Sequence, residues 1–83
     1  MPCFYFHMHD GLERIEDEEG SELPDIEAAR AEALESARQL WAAAILSGRN
    51  LSRHRFEIAD EQGNVVHLVR FVEALPFSWP PGG

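Results

Sequence analysis

His7 and His9 stand two residues apart in an aromatic run, Cys-Phe-Tyr-Phe-His-Met-His at residues 3–9. In an extended strand this spacing turns both imidazoles to one face, the arrangement of two of the ligands in a zinc site. The remaining ligands are missing from the pattern: the chain has one cysteine, no Cys-x-x-Cys, no second His-x-His pair and no His-Glu motif. Strand parity sets His54 with Phe56, and His67 with Val65 and Val69, on the face away from His7 and His9. The pair therefore reads as amphipathic surface histidines, and neither a metal nor another cofactor is expected. Cys3 and His7, four residues apart on one strand, are separated by roughly 13 Å, too far for a thiolate–imidazole pair.

Carboxylates are the other candidates. The run Glu16 to Glu19 lacks the Asp-x-Asp-x-Asp-Gly spacing that wraps oxygens around calcium. Two carboxylates acting as acid and base need a cleft that desolvates one of them, and a chain this small offers little concavity. The expectation is a protein without enzymatic activity.

The charge has a sharp location. Nine acids (Asp10, Glu13, Glu16, Asp17, Glu18, Glu19, Glu22, Asp25, Glu27) precede residue 28 with only Arg14 against them, and from residue 28 onward six acids meet six arginines. The whole net charge of −8 thus lies in the first third of the chain. A grip on phosphate needs concentrated positive charge, so direct nucleic-acid binding is not expected. Arg49, Arg53, His54 and Arg55 form the one basic cluster in the sequence, and pairing with the chain's own acidic loop is its expected use.

Eighty-three residues make one domain with a thin core. The lone cysteine allows no internal disulfide, and neither a leader-like start nor a run long enough to cross a bilayer is present, so a cytoplasmic protein without a membrane partner is expected. Residues 3–9 read as a strand leading into the turn dipeptide Asp10-Gly11, with 12–17 returning as an acid-protected edge strand and 18–23 as a polar loop. Leu23-Pro24-Asp25 opens a helix over residues 26–47, capped by Asp25 and stopped at Gly48. Its stripe is small at the start (Ala29, Ala33, Ala37) and bulky at the end (Leu40, Trp41, Ile45). At 1.5 Å per residue this helix is about 33 Å long, longer than strands of roughly 17 to 20 Å, so Trp41 and Ile45 should overhang. Residues 53–59 and 65–71 read as a second hairpin around 60–64. The domain spans residues 1–75, and residues 76–83, Pro-Phe-Ser-Trp-Pro-Pro-Gly-Gly, read as a mobile tail.

These pieces predict an α+β domain, in the order strand, strand, helix, strand, strand, with a four-stranded antiparallel sheet and one long helix packed on one face. Phe4, Phe6, Leu40, Phe56, Ile58 and Val69 should lie beneath the helix. The other face would carry Tyr5, His7, His9, Val66, Leu68 and Arg70, aromatic, His and Arg residues around aliphatics, which is interface material.

The aromatic start running into His7 and Asp10-Gly11, the Leu23-Pro24-Asp25 entry, the Glu-Ala-Ala-Arg-Ala-Glu-Ala helix and Asp60-Glu61-x-Gly63 together resemble a family of short bacterial proteins that form a domain of unknown function. The likeness covers about residues 2–75 and implies the fold. A looser similarity links the first half to the sheet-plus-helix module of HicB-like antitoxins, which implies binding of a protein partner. The resulting expectation is a small acidic interaction module that pairs with itself or another protein through Tyr5, His7, His9, Trp41, Ile45, Val66, Leu68 and Arg70. Two alternatives are a nucleic-acid mimic using the acidic edge and a metal or ligand sensor using His7 and His9.

Overall fold

The computed structural model describes residues 1–75. Strand β1 (Cys3–His9) is followed by the two-residue strands β2 (Arg14–Ile15) and β3 (Ser21–Glu22), helix α1 (Ile26–Leu46), β4 (Arg55–Ala59), β5 (Val65–Arg70) and a 3-10 turn over Phe71–Ala74. The result is an α+β domain with one helix and an antiparallel sheet in the order β2-β1-β4-β5, with β3 pairing the start of β1. The segment expected as one edge strand and a loop is instead a broken edge. β2 pairs with Met8 and His9, β3 pairs with Cys3 and Phe4, and the loop between them bonds Phe6.

Aspartates make these turns. Asp10 Oδ1 accepts the Leu12 and Glu13 N–H groups, Asp25 Oδ1 accepts Ala28 N–H as the helix N-cap, and Asp60 Oδ1 accepts from Gln62 and Asn64. Asp17 does most: Oδ2 accepts from Phe6, 3.1 Å away, and Oδ1 from Glu19 and Gly20. All four aspartates of the chain thus accept backbone N–H groups. Gly20 closes this loop at φ +73°, where a Cβ would stand 2.6 Å from Cys3 Sγ and 2.8 Å from the Tyr5 ring, so no larger residue fits.

The core joins Ala29, Ala33, Ala37, Trp41 and Ala44 of the helix to Phe4, Phe56, Ile58, Val69, Leu51, Phe71 and Ala74. Alanines let the first helical turns lie close to β4 and β5, and the helix then meets the 3-10 turn. This turn corrects the reading of the helix end. Trp41 does not overhang but is 4% exposed, and its indole N–H donates to the Phe71 carbonyl at 2.9 Å. Phe71 leaves the strand register, starts the turn and slides beneath Trp41, so the floor under the helix extends past the strands. Leu40, expected inside, falls outside the narrow stripe and is 42% exposed. Phe6 is only half-buried against the core.

A second correction comes from a bulge. Ile58 pairs with His67 but Ala59 pairs with Val65, so Val66 is an extra residue in β5. The shift breaks the alternation: Val66 packs against the core and Val65 is half-exposed on the other side. The tail over residues 76–83 lies outside the described residues.

Candidate functional site: the sheet face away from the helix

Strand parity sorts the sheet into two faces. Phe4, Phe6, Met8, Phe56, Ile58 and Val69 join the core, so their odd-even neighbours Cys3, Tyr5, His7, His9, Arg55, Glu57, Ala59, Leu68 and Arg70 lie on the opposite face. Of the residues expected there, Tyr5, His7, His9, Leu68 and Arg70 are placed together. Val66 is removed by the bulge, Trp41 is in the core, and Ile45, although exposed, sits at the far end of the helix beside Leu46.

The register arranges this face in cross-strand rows. His9 pairs with Arg14 on one side and with Arg55 on the other, and Arg55 pairs with Arg70. Four basic side chains from distant parts of the sequence thus form one line across β2, β1, β4 and β5. The next row is His7, Glu57 and Leu68, followed by Tyr5, Ala59 and Val65. At the far end Cys3 pairs with Glu22, and Glu61 reaches it from the other side, its Oε1 accepting the Cys3 N–H at 3.2 Å.

Glu57, in the next row, is the carboxylate that reaches this basic line. Its Oε1 lies 3.0 Å from His9 Nε2 and 3.3 Å from Arg14 Nε, and Arg14 also holds Glu16 at 2.7 Å. The adjacent His9 imidazole and the Arg14 guanidinium outweigh partial burial and hold the Glu57 carboxyl below its ordinary value. Arg55 and Arg70 face each other directly and make no ion pair with a described residue. Directly opposed like charges destabilise a sheet. Arg49 and Arg53 also lack ion pairs among the described residues, so the basic cluster does not neutralise the acidic loop as expected.

The two histidines share a face, as their spacing requires, but each has its own partner. His7 Nδ1 accepts the Asp17 N–H at 3.0 Å, and His9 meets Glu57. Among the described residues no group of three His, Cys, Asp or Glu side chains is placed to hold a metal ion. The Tyr5 and His7 rings stack along the strand with centroids 6.4 Å apart and planes 10° from parallel. Interaction with the neighbouring Cys3 side chain, then desolvation and the nearby Glu61 and Asp17 carboxylates, push the Tyr5 hydroxyl above its ordinary pKa. Concavity lies at the acidic end of the sheet: a cleft of about 650 Å³ opens between the start of α1, Cys3 and residues 60–62, lined also by Asp25, Glu27, Asp60 and Glu61, of which both aspartates already cap backbone.

A family model described as a domain of unknown function (DUF6894) matches residues 3–72. The chain belongs to this family. The matched span runs from the first residue of β1 into the 3-10 turn, so the DUF6894 domain contains every row of the face just described. No curated protein and no solved structure matches the chain, and the similarity to HicB-like modules gains no support from them.

Reading the sequence alone missed Arg14, Arg55, Glu57, Glu22 and Glu61 as members of this surface. Parity within residues 53–59 already set Arg55 and Glu57 opposite Phe56 and Ile58. What local pattern does not contain is the register between strands, and only register brings residues 9, 14, 55 and 70 into line.

Proposed function

We propose that this DUF6894 domain is a small acidic protein-interaction module, not an enzyme, that acts through the sheet face away from its helix and pairs there with a second copy. The observation that carries the reading is composition at one place. Leu68 and Val65, each about half exposed, share rows with the stacked Tyr5 and His7 across β4, and Leu68 lies next to the row of Arg55 and Arg70, which make no ion pair with a described residue, a mixture of aromatic, aliphatic and Arg groups characteristic of interfaces. The carboxylates near it are engaged in holding the fold, Asp17 by backbone and Glu57 by Arg14 and His9. No described helix is long and apolar enough to cross a membrane.

The test is sedimentation equilibrium across a concentration series. The wild-type chain is expected to rise above its 9.4 kDa monomer mass as concentration increases, and Leu68→Glu to remain monomeric at every concentration with an unchanged melting temperature. Self-association equal in both proteins would remove Leu68 from the contact and sink the reading.

One observation favours a second reading, the nucleic-acid mimic. Glu13, Glu16, Glu18, Glu19 and Glu22 are all exposed along the β1 edge bounded by β2 and β3, an arrangement confined to one border. A mimic would capture a basic protein whose binding weakens steeply as the Debye length falls from about 30 Å at 0.01 M salt to about 8 Å at 0.15 M.

A further inference from the structure

A two-fold interface must be complementary to itself, because the same patch meets its own copy. The rows of this sheet face meet that condition in one orientation. Along β1 they run from the basic line (Arg14, Arg55 and Arg70, with His9), through His7–Glu57–Leu68 and Tyr5–Ala59–Val65, to the acidic end (Glu22, Cys3, Glu61). Phe6 is the midpoint of that series.

We infer that two copies pack with these faces together about a two-fold axis that crosses the strands at the level of Phe6, so that each cationic row covers the partner's acidic row. Such an axis reverses strand direction but keeps each strand over its own copy. Arg14 then meets the Glu22 position of the other copy, since β2 and β3 share one edge of β1, and Arg55 meets the Glu61 position on the β4 side. His7 faces the Tyr5 position, and Leu68 faces Val65, so apolar groups meet at the β5 border. Every other alignment loses this match. An axis along the strands would set the cationic rows against each other, like charge on like charge. The unneutralised Arg55–Arg70 pair gains a carboxylate only when the partner is in place.

Facing sheets lie about 10 Å apart, within reach of arginine and glutamate side chains. Three steps of two residues and four strands give a footprint of roughly 20 by 15 Å, well under the ~800 Å² per partner of a standard interface, so the association is weak and rapidly exchanging.

This register rests on the proposed self-pairing, and charge exchange separates the two. In Arg55→Glu, both Arg55–Glu61 contacts of the dimer become repulsive. The same holds for Glu61→Arg, whereas a mixed dimer of the two variants restores both contacts, one native and one reversed. Sedimentation equilibrium is expected to show at least tenfold weaker self-association for each variant alone, and recovery to the wild-type level in the equimolar mixture. Recovery on mixing also shows that both variants are folded. If the variants associate as the wild type does while Leu68→Glu does not, the register is wrong and the face is right. A mixture no stronger than its parts also overturns the register. A wild-type chain that stays monomeric, or that binds oligothymidylate or poly-glutamate through Arg55 and Arg70 without self-association, overturns the assignment of a second copy.

Discussion

Phe71→Ala is expected to cost about 3–5 kcal/mol of folding stability, a large part of the 5–15 kcal/mol available to a small domain. Phe71 is fully buried, packs its ring 5.0 Å from Phe56 and 5.4 Å from His54, and offers its carbonyl to the Trp41 indole. Truncation leaves a cavity under the end of the helix, and the cost depends on how far its neighbours collapse into it. The same change at Phe6, half-buried, should cost less, about 1–3 kcal/mol, and Leu40→Ala at its exposed position less than about 1 kcal/mol. Urea unfolding followed by circular dichroism measures all three. A Phe71→Ala loss no greater than that of Leu40→Ala would contradict the extended floor beneath the helix.

Asp17→Ala is expected to destabilise the domain by about 1–3 kcal/mol, because the part-buried Phe6 N–H loses its acceptor on the edge of β1. Asp17→Asn should recover only part of this. Its single carbonyl oxygen serves either Phe6 or the Glu19 and Gly20 pair, and its amide nitrogen repels the others. Desolvation acts to raise the Asp17 pKa, but the N–H groups of Phe6, Gly20 and Glu19 outweigh it, and the carboxyl titrates below its ordinary 3.8 in the folded chain. A lowered folded pKa means that the unfolded chain takes up the proton first. The stabilisation is therefore complete above about pH 4 and is lost as pH falls further through the folded value. Asp10, lowered by the Glu13 and Leu12 N–H groups, acts in the same direction. Melting temperature between pH 5 and pH 2.5 should fall less steeply for Asp17→Ala than for the wild type. Parallel curves would show that Asp17 is not held ionised by these bonds.

Much of the fold can be read from local chemistry, because local chemistry determines it. Asp25 followed by alanines specifies the start of α1, Asp10-Gly11 the first turn, and Asp60 to Asn64 the second, each by side-chain bonds to backbone two to four residues away. The errors fall where the deciding partner is distant. Trp41 is drawn in by the carbonyl of Phe71, thirty residues on. Val66 is turned by a bulge that exists only in the pairing of β5 with β4. Leu40 and Trp41 are consecutive in sequence and stand about 100° apart around the helix, at the two margins of its apolar stripe, and which of them faces inward depends on where the 3-10 turn provides a floor. The surface shows the same division. Tyr5, His7 and His9 follow from alternation along one strand, while the line of Arg14, His9, Arg55 and Arg70 requires the register of four.

That line and the aliphatic border beside it make a claim about where one copy meets another. Methyl resonances followed through a dilution series test it most directly, since exposed methyl groups mark each surface. The account predicts that Val65 and Leu68 shift with concentration while Leu40, Ile45 and Leu46 stay fixed. Shifts confined to Leu40, Ile45 and Leu46, with Val65 and Leu68 unmoved, would place the contact on the helix and contradict it.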